Sequence, residues 1–369
     1  MSRWSIRAFA SGKAERMPSL TKIGFKLNPI TRRRWTRFRA LRRGYYSTLI
    51  LGTLLLLCLG AELLVSNRAL IVSYEGNWYF PTYGAVLPGK MFGLDYDYET
   101  DYKALKKLFA EQHNNNWVLL PPIPYSPYET DLLGTEFPPL APSSQHWLGT
   151  DTTGRDVLAR LLYGFRIAMA FSAALLAFEY FIGITIGCLM GYWGGVFDLV
   201  FQRLIEIWSN IPTLYVIMIV ASIVPPGFWT LLLIMIAFSW TNMTWYMRTA
   251  SYRENSRDYV LAARAIGASG PRIIFRHILP NSISTVVTFI PFSVAAGVTA
   301  LTALDYLGFG LPAPTPSWGE LLKQGTDNLE SPWIVTSVVV AMTLVLMLVT
   351  FIGEAIREAF DPKVFHTYE

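Results

Sequence analysis

Apolar residues in this chain gather into long runs separated by polar islands. They follow neither the alternation of a half-buried strand nor the one-sided stripe of a surface helix. A helix of about 20 mostly apolar residues crosses the hydrocarbon core of a bilayer. Six segments approach that length: residues 45–65, 167–193, 204–224, 228–247, 282–304 and 333–353. The third is interrupted at its start by Glu206, Ser209, Asn210 and Pro212, as a polar-faced helix lining a path or a subunit contact would be. The pattern predicts an all-α polytopic membrane protein with six spans.

Loop charge tests this topology. Residues 1–44 hold thirteen Lys or Arg against one acid, Glu15, and the densest cluster lies directly before the first apolar run. Lys and Arg favour the cytoplasmic side of a membrane. With that end inside, residues 66–165 fall outside and carry seven basic against eleven acidic residues. Residues 249–281 fall inside and are basic, and 305–332 fall outside with Lys323 against Asp305, Glu320, Asp327 and Glu330. Both termini are then cytoplasmic. The expected organisation is a basic segment 1–44, a first span 45–65, an outer loop or mini-domain 66–165, a five-helix core 166–353 and a tail 354–369.

The outer segment is rich in aromatics and prolines, with eight aromatics between Tyr74 and Tyr98. Such residues supply a small core, so a folded mini-domain of short strands and turns is expected, with a helical turn at 102–112. The chain is 52% hydrophobic and only 15% charged, against about 25% charged for a soluble domain. The basic cluster is read as a membrane anchor, not a nucleic-acid site, because it abuts a span. Its apolar run starts too late for a usual cleaved signal. Cys58 and Cys188 sit inside apolar runs, without metal-type spacing. The four histidines are scattered, and no G-x-x-x-x-G-K-[ST] phosphate loop is present, so a catalytic or ATP-hydrolysing role is not expected.

Three features carry candidate chemistry. Glu179 lies mid-span, where an ionisable group is costly and faces the bundle or a water path. Gly183, Gly187 and Gly191 share one helix face, letting another helix approach closely, within the bundle or from a partner. The third is the polar island 251–281, which holds Ala262-Ala263, Gly267 and Leu279-Pro280, with six arginines between Arg248 and Arg276. Pro280 is expected to open the next helix, where its missing N–H costs least.

That island resembles the EAA loop of ABC-importer permeases, E-A-A-x3-G-x9-I-x-L-P, with Leu261 in place of Glu and His277 in place of Ile. The stretch HWLGTDTTGRDVLARLLYG from His146 is similar to the signature of the peptide and nickel permeases, in the C-type subunit. LDYLGFGLPAPTPSWGELL from Leu304 and GEAIREAFDPK from Gly353 resemble the same family. NRALIVSYEGNWYFP from Asn67 and NNWVLLPPIPY from Asn115 resemble its Yej-type branch, importers of oligopeptides and of peptide-nucleotide antibiotics such as microcin C.

The resemblance implies a type I importer fold in the bacterial inner membrane, non-catalytic, moving peptides by alternating access. It implies a second permease, a cytoplasmic ATPase that binds the ATP and Mg, a periplasmic substrate-binding protein, the peptide substrate and membrane lipid as partners, and no nucleic acid or metal. It implies a coupling helix at about 258–270 that docks on the ATPase. Asp258, Tyr259, Ala262, Ala263, Arg264, Gly267, Ala268, Arg272, Arg276, His277, Leu279 and Pro280 are its expected residues, with Ala262, Ala263 and Gly267 as the close-packed contact face. Arg264, Arg272 and Arg276 are placed to pair with acidic ATPase residues or lipid headgroups. Gly149, Asp151, Gly154, Arg155 and Asp156 are expected to brace the outer surface. Glu179, Asn210 and Pro212 are candidates for the pathway or for helix packing. A nickel or dipeptide permease and a stand-alone secondary transporter are the alternatives.

Overall fold

The computed structural model describes residues 29–112, 115–131 and 137–360. Residues 1–28, His113, Glu136 and the chain after Phe360 lie outside the described residues.

Two helices open the fold, α1 (Pro29–Ala40) and α2 (Arg42–Leu59), followed by a single turn, α3 (Ala61–Leu64). The first apolar run is therefore not one helix. Gly60 breaks it, and α2 begins on Arg42 and Arg43. Three short strands follow, β1 (Ile71–Tyr74), β2 (Asn77–Tyr79) and β3 (Trp117–Leu119), with α4 (Tyr102–Gln112) between the last two. They form an antiparallel sheet in the order β2-β1-β3, with Val72 opposite both Tyr79 and Val118. One face of the sheet closes on α4 through Val72, Val118, Leu105, Phe109, Tyr102 and Phe92. Of the eight aromatics between Tyr74 and Tyr98, Phe92, Tyr74 and Tyr79 join this core, whereas Trp78, Phe80, Tyr83 and Tyr98 are exposed.

The bundle consists of α5 (Val157–Trp193), α6 (Gly195–Ser209), α7 (Thr213–Ile223), α8 (Phe228–Asn255), a short pair α9 (Asp258–Ala265) and α10 (Gly270–Ile273), α11 (Leu279–Tyr306), α12 (Trp318–Asp327) and α13 (Pro332–Phe360). Among the described residues, four helical segments are long and apolar enough to cross a membrane, starting at Val157, Phe228, Gly270 and Pro332. The pair α6 and α7 qualifies only together and bends by 66°. The bend falls at Asn210-Ile211-Pro212, since Pro212 has no N–H to continue the α6 ladder. The third apolar run thus starts earlier than its composition implied, at Gly195. Residues 354–360 are not a tail: they are the last two turns of α13, where Ala355 and Ala359 bury against Phe38 of α1.

Helices α5 and α8 pack most intimately. A Cβ on Gly183 would lie 2.8 Å from Met243 Cβ and the Trp240 carbonyl, and one on Gly187 would lie 2.7 Å from the Thr244 carbonyl. Gly191 meets Ser251 in the same way, and the Ser251 hydroxyl donates to the Cys188 carbonyl at 3.1 Å. The glycine stripe is the seam between two helices of this chain, and close backbone contact is what it supplies.

Candidate functional site

At 37 residues, α5 is about 55 Å long at 1.5 Å per residue. It carries a distinct polar constellation at each end.

At its N-terminal end, Asp156 caps the helix by accepting the Ala159 N–H at 2.7 Å. The cap is tied back by His146, whose Nδ1 is 2.8 Å from Asp156 and whose Nε2 is 3.4 Å from Asp131. Gly149 and Gly154 turn the loop at φ of 74° and 82°, where other residues are strained. Asp151 has no exposed surface. Its Oδ1 accepts from the Thr153 N–H and hydroxyl and from the Arg155 N–H, and its Oδ2 from Arg155 Nε at 2.8 Å and from Arg160. Both guanidiniums reach on to Glu320 of α12, Arg155 at 3.0 Å. Burial would push the Asp151 carboxyl up, but Arg160, the Arg155 N–H and the Arg155 charge outweigh it and hold it below its ordinary range. Ser317 caps α12 and donates to Asp305 at 2.6 Å, while Trp318 Nε1 donates to the Leu161 carbonyl at 2.9 Å. Loop 146–156, α5, α11 and α12 are locked together. Arg160, Glu320, His146, Asp305 and Ser317 lie within the two stretches, from His146 and from Leu304, that resemble the permease family, but none of them had a role in the brace assigned from the sequence.

At the other end, α8 gives way to α9 after Arg257. Val260 and Ala263 turn inward and cluster with Ile273 and Ile278. Ala263 is thus buried in its own chain and is not part of a contact face, because helical spacing from Val260 places it inward. The helix ends in a Schellman motif: Ala268 N–H donates to the Ala263 carbonyl and Gly267 N–H to the Arg264 carbonyl, both at 3.0 Å. Gly267 is the left-handed residue of that cap, at φ 81°, and a Cβ there would meet nothing within 4 Å. The demand for glycine in this chain is conformational and not steric, which revises the close-packing expectation. The spacing A-A-x3-G is that of a helix end: its second Ala accepts the bond that closes the cap.

Outward from this core stand Leu261, Ile266 and Phe275, 49%, 86% and 68% exposed, with Ala262, Asp258 and Tyr259 beside them. Arg272 and Arg276 are exposed. Arg264 donates to Asn255 Oδ1 at 2.9 Å and lies over the Tyr192 ring, so its own chain holds it. Asn255 in turn donates to the Gly191 and Tyr192 carbonyls, tying α9 to the end of α5. Tyr259 donates to Glu254 at 2.8 Å, and its ring lies 6.2 Å from that of His277. Pro280 stands in the first turn of α11, as expected, but that helix does not start from a loop. The helical run starts at Gly270, and a single π turn over Ile274–Ile278 precedes Leu279 and Pro280. That wider turn sits where Pro280 removes an N–H from the ladder.

The remaining candidates are dispersed. Glu179 is 8% exposed, midway along α5, and has no hydrogen-bond partner among the described residues. Asn210 Nδ2 donates to the Glu206 carbonyl at 2.7 Å and ends α6. Asp198 of α6, also missed, receives both Nε and Nη2 of Arg248 at 2.5 and 2.6 Å and the Tyr252 hydroxyl at 2.7 Å. This fork fixes α6 to α8 near the α9 end.

A model of the family described as binding-protein-dependent transport system inner membrane components matches residues 183–366. The inner membrane ABC transporter permease protein YejE of Escherichia coli (strain K12) is 42% identical over 341 residues, covering 92% of this chain and 98% of that protein. The peptidoglycan transport system permease protein YejE of Agrobacterium fabrum (strain C58) is 39% identical over 363 residues, covering 91% and 94%. The oligopeptide transport system permease protein OppC of Bacillus subtilis (strain 168) is 30% identical over 236 residues, covering 64% and 76%. Among solved structures, an inward-facing form of the MetNI methionine ABC transporter aligns at 18% identity and a TM-score of 0.46, over 55% of this chain and 97% of that one.

Proposed function

The chain belongs to the binding-protein-dependent transport system inner membrane components, as a multi-pass ABC transporter permease, and from that membership we propose how it works. It is one of two type I permease subunits that open alternately to the periplasm and the cytoplasm. Helix α2, the bent pair α6–α7 and the four long apolar segments make up six spans, with both termini cytoplasmic. Residues 66–165 stand in the periplasm, where a substrate-binding protein delivers cargo. That cargo is a peptide, including peptides of peptidoglycan origin, in keeping with the names of the relatives.

The observation that carries the coupling reading is the geometry of α9. It is a capped helix held on a rigid cluster, presenting Leu261 and Ile266 outward amid arginines. Exposed apolar side chains of this kind mark an interaction site. The ATPase partner takes this surface into a groove and holds the ATP and Mg. ATP-driven closure then moves α9, and the Asn255 and Tyr192 contacts pass the movement to α5 and α8. A bistable bundle biased by ATP at one end and by the loaded binding protein at the other transports without chemistry of its own.

The test is uptake of a labelled oligopeptide by cells carrying Ile266→Asp. A charge at an apolar contact is expected to abolish uptake and ATPase co-purification while leaving the chain in the membrane. Normal uptake with normal co-purification overturns the assignment of α9.

A further inference from the structure

At the α9 end of the bundle a separate groove opens between α1, α2, α11 and α13. Helix α1 parts from α2 at Leu41 and packs on α13 through Phe38. The groove measures about 490 Å³ and is walled by Ile283 and Val287 of α11, Ile352 and Ile356 of α13, and Trp35. That volume falls in the roughly 300–1,000 Å³ range of ligand sites. Its polar lining is Thr31, Thr48 and Arg34, and the Thr48 hydroxyl is already bonded to the Gly44 carbonyl at 2.8 Å. Arg34 is the single charge of the lining, its guanidinium 4.4 Å over the Phe360 ring. No carboxylate among the described residues pairs with it. The acids Glu354 and Glu358 line a different cavity, with Arg42 and Arg43.

An occupant must therefore carry a long apolar body and a negative head. A polypeptide would bring backbone N–H and C=O groups that this lining cannot satisfy. Thr31, Arg34, Trp35 and Phe38 share the face of α1 that lines the groove, so Arg34 alone of the α1 arginines stands at it. We propose that the groove holds an acyl chain of an anionic phospholipid, with its phosphate on Arg34. Methylene burial supplies affinity and the charge-assisted phosphate contact supplies headgroup selection. The lipid completes the packing of α1 against α11 and α13.

The test is native mass spectrometry of the assembled transporter purified in mild detergent with its lipids. Phosphatidylglycerol or cardiolipin is expected to be retained about tenfold over phosphatidylethanolamine, a 1.4 kcal/mol preference. Arg34→Gln should reduce that preference severalfold, and Val287→Trp, which fills the groove, should remove retention of both classes. If a variant disassembles, the wild type decides: brominated phosphatidylglycerol should quench a fluorescence component that Trp35→Phe lacks. Equal retention of both lipid classes, unchanged retention in Val287→Trp, or no quenching of Trp35 overturns the proposal. So does cross-linking of Val287→Cys to a neighbouring permease, which would assign the groove to subunit contact.

Discussion

Replacing Asp151 by Asn should destabilise this protein more than any other single polar change at its end of the bundle. Asp151 is fully buried, and Oδ2 receives both Arg155 and Arg160, the second of which is itself without exposed surface. Asn keeps an acceptor for Thr153 but turns N–H groups toward two guanidiniums and removes the charge that balances them. Breaking a buried pair by removing one partner costs about 3–5 kcal/mol, because the other charge stays desolvated. Glu320 shares the two arginines, but its side chain is 23% exposed, so Glu320→Gln should cost less, about 1–2 kcal/mol, with water replacing part of the contact. The two changes share partners and should be non-additive by more than about 0.5 kcal/mol. The assay is denaturant unfolding of the detergent-purified transporter, followed by fluorescence, for both single variants and the double. A loss below about 1 kcal/mol for Asp151→Asn, the range of exposed ion pairs, would refute the brace.

The same carboxylate sets an acid limit. Its folded pKa lies below the ordinary value of 3.8, so its contribution is complete above that value and is lost as pH falls through the folded pKa. Stability of the wild type should therefore drop more steeply below about pH 4 than that of Asp151→Asn, a comparison made by unfolding at stepped pH. Gly187→Val should separate α5 from α8, since its Cβ would meet the Thr244 carbonyl at 2.7 Å. A loss of about 1–3 kcal/mol or failure to assemble is expected on blue-native gels, with Gly187→Ala milder. Gly267→Ala, forced to φ 81°, should cost roughly 1–2 kcal/mol locally and loosen the end of α9. Peptide uptake should fall while membrane insertion holds, and Gly267→Asn, which tolerates the left-handed region, should retain more uptake.

Much of this was legible in the sequence, for physical reasons. Long apolar runs announce α5, α8, α11 and α13, because a bilayer accepts little else. Glu206, Asn210 and Pro212 announced the interruption of the third apolar run, and the bend lies at Asn210–Pro212. The pattern around 102–112 marked α4. The motifs pointed to the ABC permease family and its Yej-type branch, and the relatives agree. What was not legible depends on three-dimensional closure. Arg160 and Glu320 are 160 residues apart, and nothing local says that they pair while Arg160 also reaches Asp151. The glycine stripe left its partner helix open, because small residues state that something comes close but not what. Gly267 was read as room for a neighbour, whereas the chain spends it on a helix cap. Pro280 marked the start of α11, but the π turn that joins it to the residues before leaves no pattern of its own.

The central claim, that α9 is where a cytoplasmic ATPase engages this chain, is tested most directly by site-directed cross-linking in the assembled transporter. Single cysteines at Ile266, Leu261 and Ala263, in a background lacking Cys58 and Cys188, are treated with a short bismaleimide. The account predicts cross-links to the ATPase from positions 266 and 261, altered by ATP, and none from buried 263. Efficient cross-linking from 263, or none from 266 in a complex that retains its ATPase, would contradict it.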